Sequence, residues 1–227
     1  MSKTRLATCR LYGFIDTAYI EDLDPGDVAR ELIAGGVDII QVRAKEKSHA
    51  DRVALALKVV SAAFQYKVLV IINDDIEAAF EAGADGVHLG QEDWAAIPRE
   101  ERAERLANMR IVGLSTHSLD QALAAERDGA DYLGVGPVFP TATKPGVKPV
   151  GVELVREVSA RVKTPFFAIG GITLDNIGEV LEAGATRVAV VSAILQASDK
   201  TEAAAAFGKR LEKLQLRMNS VPPGRSG

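Results

Sequence analysis

Four short segments of one shape recur along the chain: Ala34-Gly35-Gly36-Val37-Asp38, Glu81-Ala82-Gly83-Ala84-Asp85, Arg127-Asp128-Gly129-Ala130-Asp131 and Glu182-Ala183-Gly184-Ala185-Thr186. Each ends a helical stretch on glycine, the residue favoured at a left-handed helix C-cap. Each precedes an apolar run that reads as a strand. The spacing is about 46 to 55 residues, the length of two strand–helix units. The segments introduce the second, fourth, sixth and eighth strands. Eight strands alternating with helices imply parallel βαβ units, and eight such strands close a barrel. The expectation is an α/β chain folded as a single (β/α)8 TIM barrel. Residues 1–218 form one catalytic domain and residues 219–227 a disordered tail. The competing arrangement is an open doubly wound sheet, which needs a topological switch that a full-length repeat does not supply.

The pattern places strands at 10–15, 37–42, 67–72, 86–89, 110–114, 132–135, 165–169 and 187–191. Helices are expected at 25–34, 48–64, 75–82, 99–108, 119–128, 152–162, 174–183 and 201–216. The first of these helices has an Asp24 cap and Pro25 at its first position.

Bulk properties narrow the function. A net charge of −4 over 227 residues argues against a general nucleic-acid binder, so any phosphate site must be local. The single Cys9 excludes an internal disulfide and suits a reducing compartment. No apolar run has the length of a signal peptide or a membrane span, so a cytoplasmic protein with no membrane partner is expected. Composition leaves the oligomeric state open.

In such a barrel the active site lies at the C-terminal ends of the strands, and here those ends are polar. Strand two ends in Gln41-Val42-Arg43-Ala44-Lys45, where Arg43 and Lys45 alternate and can both face the mouth. Two cations there suit a substrate with several negative charges. Their alternative is salt bridging to acids such as Glu46. Asn73, Asp74 and Asp93 are oxygen donors on adjacent strands, a set that suits Mg2+; helix capping is the alternative for Asp74 and Asp93.

After strand six comes Gly136-Pro137-Val138-Phe139-Pro140-Thr141-Ala142-Thr143-Lys144-Pro145, a loop stiffened by proline and carrying Thr141, Thr143 and Lys144 as donors. Gly170-Gly171-Ile172-Thr173 before a helix reads as a phosphate cradle. Val191-Ser192-Ala193 completes the phosphate site usual after strands seven and eight. His49, His88, His117 and Cys9 show no zinc spacing. His88, inside a strand, reads as packed or supporting; His117 is nearer the mouth and is a candidate for direct chemistry. No nucleophile elbow or Walker loop is present. Two anion sites without an evident nucleophile suggest a transferase that joins two phosphorylated small molecules while pyrophosphate leaves.

The motifs resemble those of the thiamin phosphate synthase family over nearly the whole chain. They are Gln41-Val42-Arg43-Ala44-Lys45, Ile72-Asn73-Asp74, Val87-His88-Leu89-Gly90-Gln91-Glu92-Asp93, Gly113-Leu114-Ser115-Thr116-His117, the loop from Gly136 to Lys144, Ile169-Gly170-Gly171-Ile172 and Val191-Ser192-Ala193-Ile194. The resemblance implies the joining of hydroxymethylpyrimidine pyrophosphate to hydroxyethylthiazole phosphate, with pyrophosphate departing first. It assigns Gln41, Arg43, Lys45, Asn73, Ser115 and Lys144 to the pyrimidine pyrophosphate, with Arg43, Lys45, Ser115 and Lys144 as the catalytic set. It assigns Asp74 and Asp93 to Mg2+, and Thr141, Thr143, Gly171, Val191 and Ser192 to the thiazole substrate. Asp75 stands where the family commonly has arginine. A thiazole tautomerase of the same fold, with His117 as proton carrier, is the alternative.

Overall fold

The structure, a computed structural model, describes residues 2–143 and 146–220. The chain runs α1 (Ser2–Leu6), β1 (Leu11–Asp16), α2 (Thr17–Ile20), α3 (Pro25–Ala34), β2 (Ile39–Arg43), α4 (His49–Ala63), β3 (Leu69–Asn73), α5 (Ile76–Glu81) and β4 (Gly86–Leu89). It continues through α6 (Gln91–Ala96), α7 (Arg102–Arg105), β5 (Ile111–Thr116), α8 (Leu119–Arg127), β6 (Tyr132–Val135) and α9 (Gly151–Arg161). It closes with β7 (Phe166–Ile169), α10 (Ile177–Glu182), β8 (Val188–Ala189), α11 (Ser192–Leu195) and α12 (Lys200–Ser220). The eight strands pair in sequence order, all parallel, and β1 closes on β8. The TIM barrel expected from the repeat is the fold. Helix α12 runs two residues past the expected boundary at 218, and residues 221–227 of the expected tail lie outside the described residues.

Both faces of the strands are covered, which is why they read as continuous apolar runs rather than alternating ones. Tyr12, Tyr132 and Phe167 fill the barrel interior as an edge-to-face cluster, with ring centroids 5.3–5.9 Å apart.

The repeat has a mechanical role at the barrel's N-terminal end. Its glycines Gly36, Gly83, Gly129 and Gly184 all take positive φ. Two residues later an aspartate turns back to the start of the preceding odd strand. Asp38 accepts from the backbone N–H groups of Arg10 and Leu11, Asp85 from Val70, and Asp131 from Val112, at 2.8–3.0 Å. Each carboxylate satisfies donors that the parallel ladder leaves open at a strand's beginning. The fourth segment has Thr186 instead; there Arg187 donates to the carbonyls of Cys9 and Ala7.

Three expectations change. The charged helix expected at 99–108 is reduced to α7, Arg102–Arg105, and α6, Gln91–Ala96, precedes it where no helix was expected. Pro98 stands between them, and α6 starts behind Gly90, whose N–H donates to Asp93 at 3.3 Å. Glycine is a quieter helix-start signal than serine or aspartate. Strand β8 spans two residues only; Val190 N–H still bonds Tyr12 O, and Val191 then turns into α11. Helix α10 begins at Ile177, so a turn separates it from Gly170-Gly171.

Candidate active site

Two adjoining cavities open at the C-terminal ends of the strands, and Asn73 lines both. One lies over the barrel axis. It gathers Gln41, Arg43, Ser115, Thr141 and Thr143 with Gly171, Val191 and Ser192. The other lies to one side, over β3 and β4, and gathers Lys45, Asp74 and Asp93. Every site residue named from the sequence therefore falls on one of two neighbouring cavities, except Lys144, which lies outside the described residues.

The axial cavity owes its shape to chain reversals on both sides. Gly170 and Gly171 take positive φ, and a Cβ on either would meet Pro137 or the Phe139–Pro140 backbone within about 3 Å. The loop after β6 extends the sheet against them: Val138 N–H donates to Ile169 O and Phe139 N–H to Gly170 O, at 2.8 and 3.0 Å. The far side of the Gly171 turn is pinned by Asn176, which donates to Gly171 O at 2.8 Å. Thr143 bonds the Tyr19 hydroxyl at 2.8 Å, tying the β6 loop to α2. His117 lines the same cavity and donates from Nδ1 to the carbonyl of Gly136.

Arg43 is not paired with Glu46. Its guanidinium donates to Asp16 at 2.7 Å, the residue directly opposite it in the β1–β2 register. Asp16 is buried and also caps α2 through Ala18 N–H. Its carboxylate holds Arg43 at the rim in one orientation.

The second cavity is rich in carboxylates. Asp74 has a φ of 64°, an uncommon setting for a residue with a side chain. Its N–H donates to His88 O, and its carboxylate takes a bond from the Asn73 amide and lies 3.8 Å from Lys45 Nζ. Burial, and then the like charge of Asp93, hold the Asp74 carboxyl above its ordinary 3.8, against the opposing pull of Lys45 and Asn73. Asp93 lies within α6, so it is not that helix's cap, although it bonds the cap N–H of Gly90.

Asp75 is the cap of α5, accepting from Ala78 N–H at 2.9 Å. It also binds Arg52 at 2.8 Å and His49 at 3.1 Å. Burial pushes its carboxyl up, but the Ala78 N–H and the two cations outweigh that, and the net direction is down. Arg52 in addition donates to Ala44 O at 3.2 Å, so it bridges the loop carrying Lys45 and the loop carrying Asp74. Arg52, His49 and Tyr19 escape a sequence reading of the site, because they act on the named residues from other elements; Asp16 shows in the sequence only as the polar end of strand one. Among the described residues, no three His, Cys, Asp or Glu side chains form a metal cage of their own.

A closed parallel barrel with a polar two-part cavity at its strand ends defines a TIM-barrel enzyme. The comparisons make that specific. The family model described as thiamine monophosphate synthase matches residues 11–194. The chain is 42% identical over 206 residues to the thiamine-phosphate synthase of Halalkalibacterium halodurans, spanning 90% of this chain and 96% of that one. It is 43% identical over 206 residues to that of Methanospirillum hungatei, spanning 88% and 96%. It superposes on the solved thiamine phosphate pyrophosphorylase from Pyrococcus furiosus with a TM-score of 0.82 at 34% identity, covering 94% and 99% of the two chains. The chain belongs to the thiamine monophosphate synthase family, and it is a transferase.

Proposed function

We propose that the protein joins hydroxymethylpyrimidine pyrophosphate to hydroxyethylthiazole phosphate, forming thiamin phosphate and releasing pyrophosphate, with Mg2+ as cofactor. The observation that carries this reading is the pair of cavities meeting at Asn73. One is shaped by glycines and hydroxyls; the other has Asp74 and Asp93 beside Lys45. The relatives' names supply the product, and the family resemblance supplies the two substrates.

The residues present fit a small hard cation. Asp74 and Asp93 are mutually repelling carboxylates in one cleft, and Mg2+ is commonly held by one or two such groups with water and phosphate oxygens filling its other positions. When bound, it would supply positive charge to the departing pyrophosphate. Arg43, Lys45 and Lys144 bind and neutralise that same group, and Asn73 spans the two cavities. Gln41 and Ser115 orient the pyrimidine ring. Thr141, Thr143, Gly171, Val191 and Ser192 hold the thiazole substrate, chiefly its phosphate. Pyrophosphate departs first and the thiazole nitrogen captures the pyrimidine methylene, so no protein nucleophile is needed. The buried single Cys9 accords with a cytoplasmic setting.

The test is magnesium-dependent formation of thiamin phosphate and pyrophosphate from the two substrates. Absence of turnover, with tautomerisation of the thiazole instead, would assign the chain to the isomerase chemistry of the fold. Asp93→Asn should lower the metal-dependent rate by about 10²-fold or more, the scale of losing a transition-state charge contact, with an unchanged circular dichroism spectrum. An unaltered rate would remove Asp93 from the metal site.

A further inference from the structure

Beneath Gln41 and Ser115 a line of hydrogen bonds crosses the barrel interior. Gln41 Nε2 lies 2.9 Å from Tyr12 Oη, Tyr12 Oη 2.9 Å from Tyr132 Oη, and Tyr132 Oη 2.9 Å from His88 Nδ1. His88 Nε2 lies 3.0 Å from Ser115 Oγ. The five residues come from β2, β1, β6, β4 and β5, and the two tyrosines are fully buried. The space is built for them. A Cβ on Gly113 would overlap the Tyr132 ring, and a Cβ on Gly134 would stand 3.3 Å from the His88 ring.

The polarity of this line follows from which atoms can donate. The Gln41 amide nitrogen only donates, so the Tyr12 hydroxyl accepts from it. The Tyr12 proton then points to Tyr132, since leaving it against the amide would bury an unmatched donor. Tyr132 has spent its acceptor side on Tyr12 and donates to His88 Nδ1. An accepting Nδ1 places the imidazole hydrogen on Nε2, which donates to Ser115 Oγ. The Ser115 hydroxyl hydrogen and the Gln41 Oε1 lone pairs, which no described residue engages, remain for the cavity that both residues line.

We propose that Tyr12, Tyr132 and His88 are positioning residues whose hydrogen-bond line sets Gln41 as an acceptor and Ser115 as a donor toward the cavity. The barrel floor thereby selects a nitrogen heterocycle that offers an N–H donor at one edge and a ring-nitrogen acceptor at another. The line itself stands on the geometry; the identity of its ligand as the aminopyrimidine substrate rests on the proposed function. Burial raises both tyrosine hydroxyls above their ordinary range, which keeps their protons in place as donors at neutral pH.

The test begins with the unmodified full-length protein carrying 15N-labelled histidine, its His88 signals assigned by their loss in His88→Gln. The expected result is a neutral Nε2–H tautomer for His88. An Nδ1–H tautomer or an imidazolium at neutral pH overturns the proposal. Tyr132→Phe, which removes a hydroxyl and adds no bulk, should release the tautomer to a mixture. It should also raise KM for the pyrimidine pyrophosphate about tenfold, the scale of one lost hydrogen bond, while KM for the thiazole phosphate stays. Tyr12→Phe should do the same, and His88→Gln, which keeps an amide donor toward Ser115, should lose less affinity than His88→Leu. A tautomer unmoved by both tyrosine variants, or equal rises in both KM values, overturns the proposal. If the unmodified enzyme fails to turn over the two substrates, the proposed function falls, and the tautomer measurements still decide the line.

Discussion

Asp75 follows the Asn73-Asp74 pair at the end of β3, and its surroundings account for an acid there. It caps α5, and the cations it faces, Arg52 and His49, both come from α4. Positive charge is thus supplied beside Asp74 from the neighbouring helix. Asp75→Ala should cost about 2 kcal/mol of folding stability, the scale of a helix cap and a partly buried charged contact removed together, read by urea unfolding. The pH dependence follows from two opposite shifts. The lowered pKa of Asp75 makes its contribution present above the ordinary 3.8 and lost as pH falls through the depressed value. His49 is raised by its bonds to Asp75 and Glu81, so its contribution is complete below the ordinary 6.5 and fades as pH rises through the raised value. The His49–Asp75 contact is therefore strongest between those two values. His49→Asn should flatten the fall of Tm on the alkaline side of 6.5 while leaving the acid limb in place, as measured by thermal unfolding across pH.

At the scale of elements, the repeat separates stability from chemistry. Its glycines end helices and its aspartates hold the odd strands, all at the barrel end opposite the cavities. Asp131→Ala removes the acceptor for Val112 N–H and the partner of Lys3, and should cost about 1–3 kcal/mol, the penalty of a backbone donor left without its charged partner. Its kcat should stay within a factor of two, judged alongside the assay above. Gly113→Ala sits on β5, the strand that Asp131 anchors through Val112, yet should behave differently. Its methyl would press on Tyr132, so it should lose about 1–3 kcal/mol through overpacking and also weaken pyrimidine binding through the hydrogen-bond line. Comparing the two variants separates a strand's anchorage from the floor of its site.

At the scale of the whole molecule, β3 delivers Asn73 to both cavities, and the proposed function has them act as one site. Acids predominate in the second cavity, so the proposed pyrophosphate without a cation would meet repulsion there, and a cation without the pyrophosphate would lack its phosphate oxygen ligands. Mg2+ and pyrophosphate added together at concentrations far above their Kd should raise Tm by about 5–10 °C, more than the sum of either alone, as scanning calorimetry would show. Additive shifts would mean that the two ligands occupy separate sites.

The barrel was legible because its signals are local and periodic. A glycine at each left-handed cap and an apolar run after it require only neighbours in the chain, and four copies specify eight strands. The polar strand ends were legible for the same reason, since βα loops present their first residues to the mouth in any such barrel. Partnership was not legible. That Arg43 meets Asp16 rather than Glu46 follows from register across two strands. That Asp75 meets Arg52, and that Gln41 is joined to Ser115 through Tyr12, Tyr132 and His88, follows from side chains of separate elements converging on one volume. The sequence by itself determined which strands and loops exist and which residue types stand at their ends. The tertiary structure alone decided which of those side chains touch, because contacts across a closed barrel depend on three-dimensional packing and leave no period in the chain.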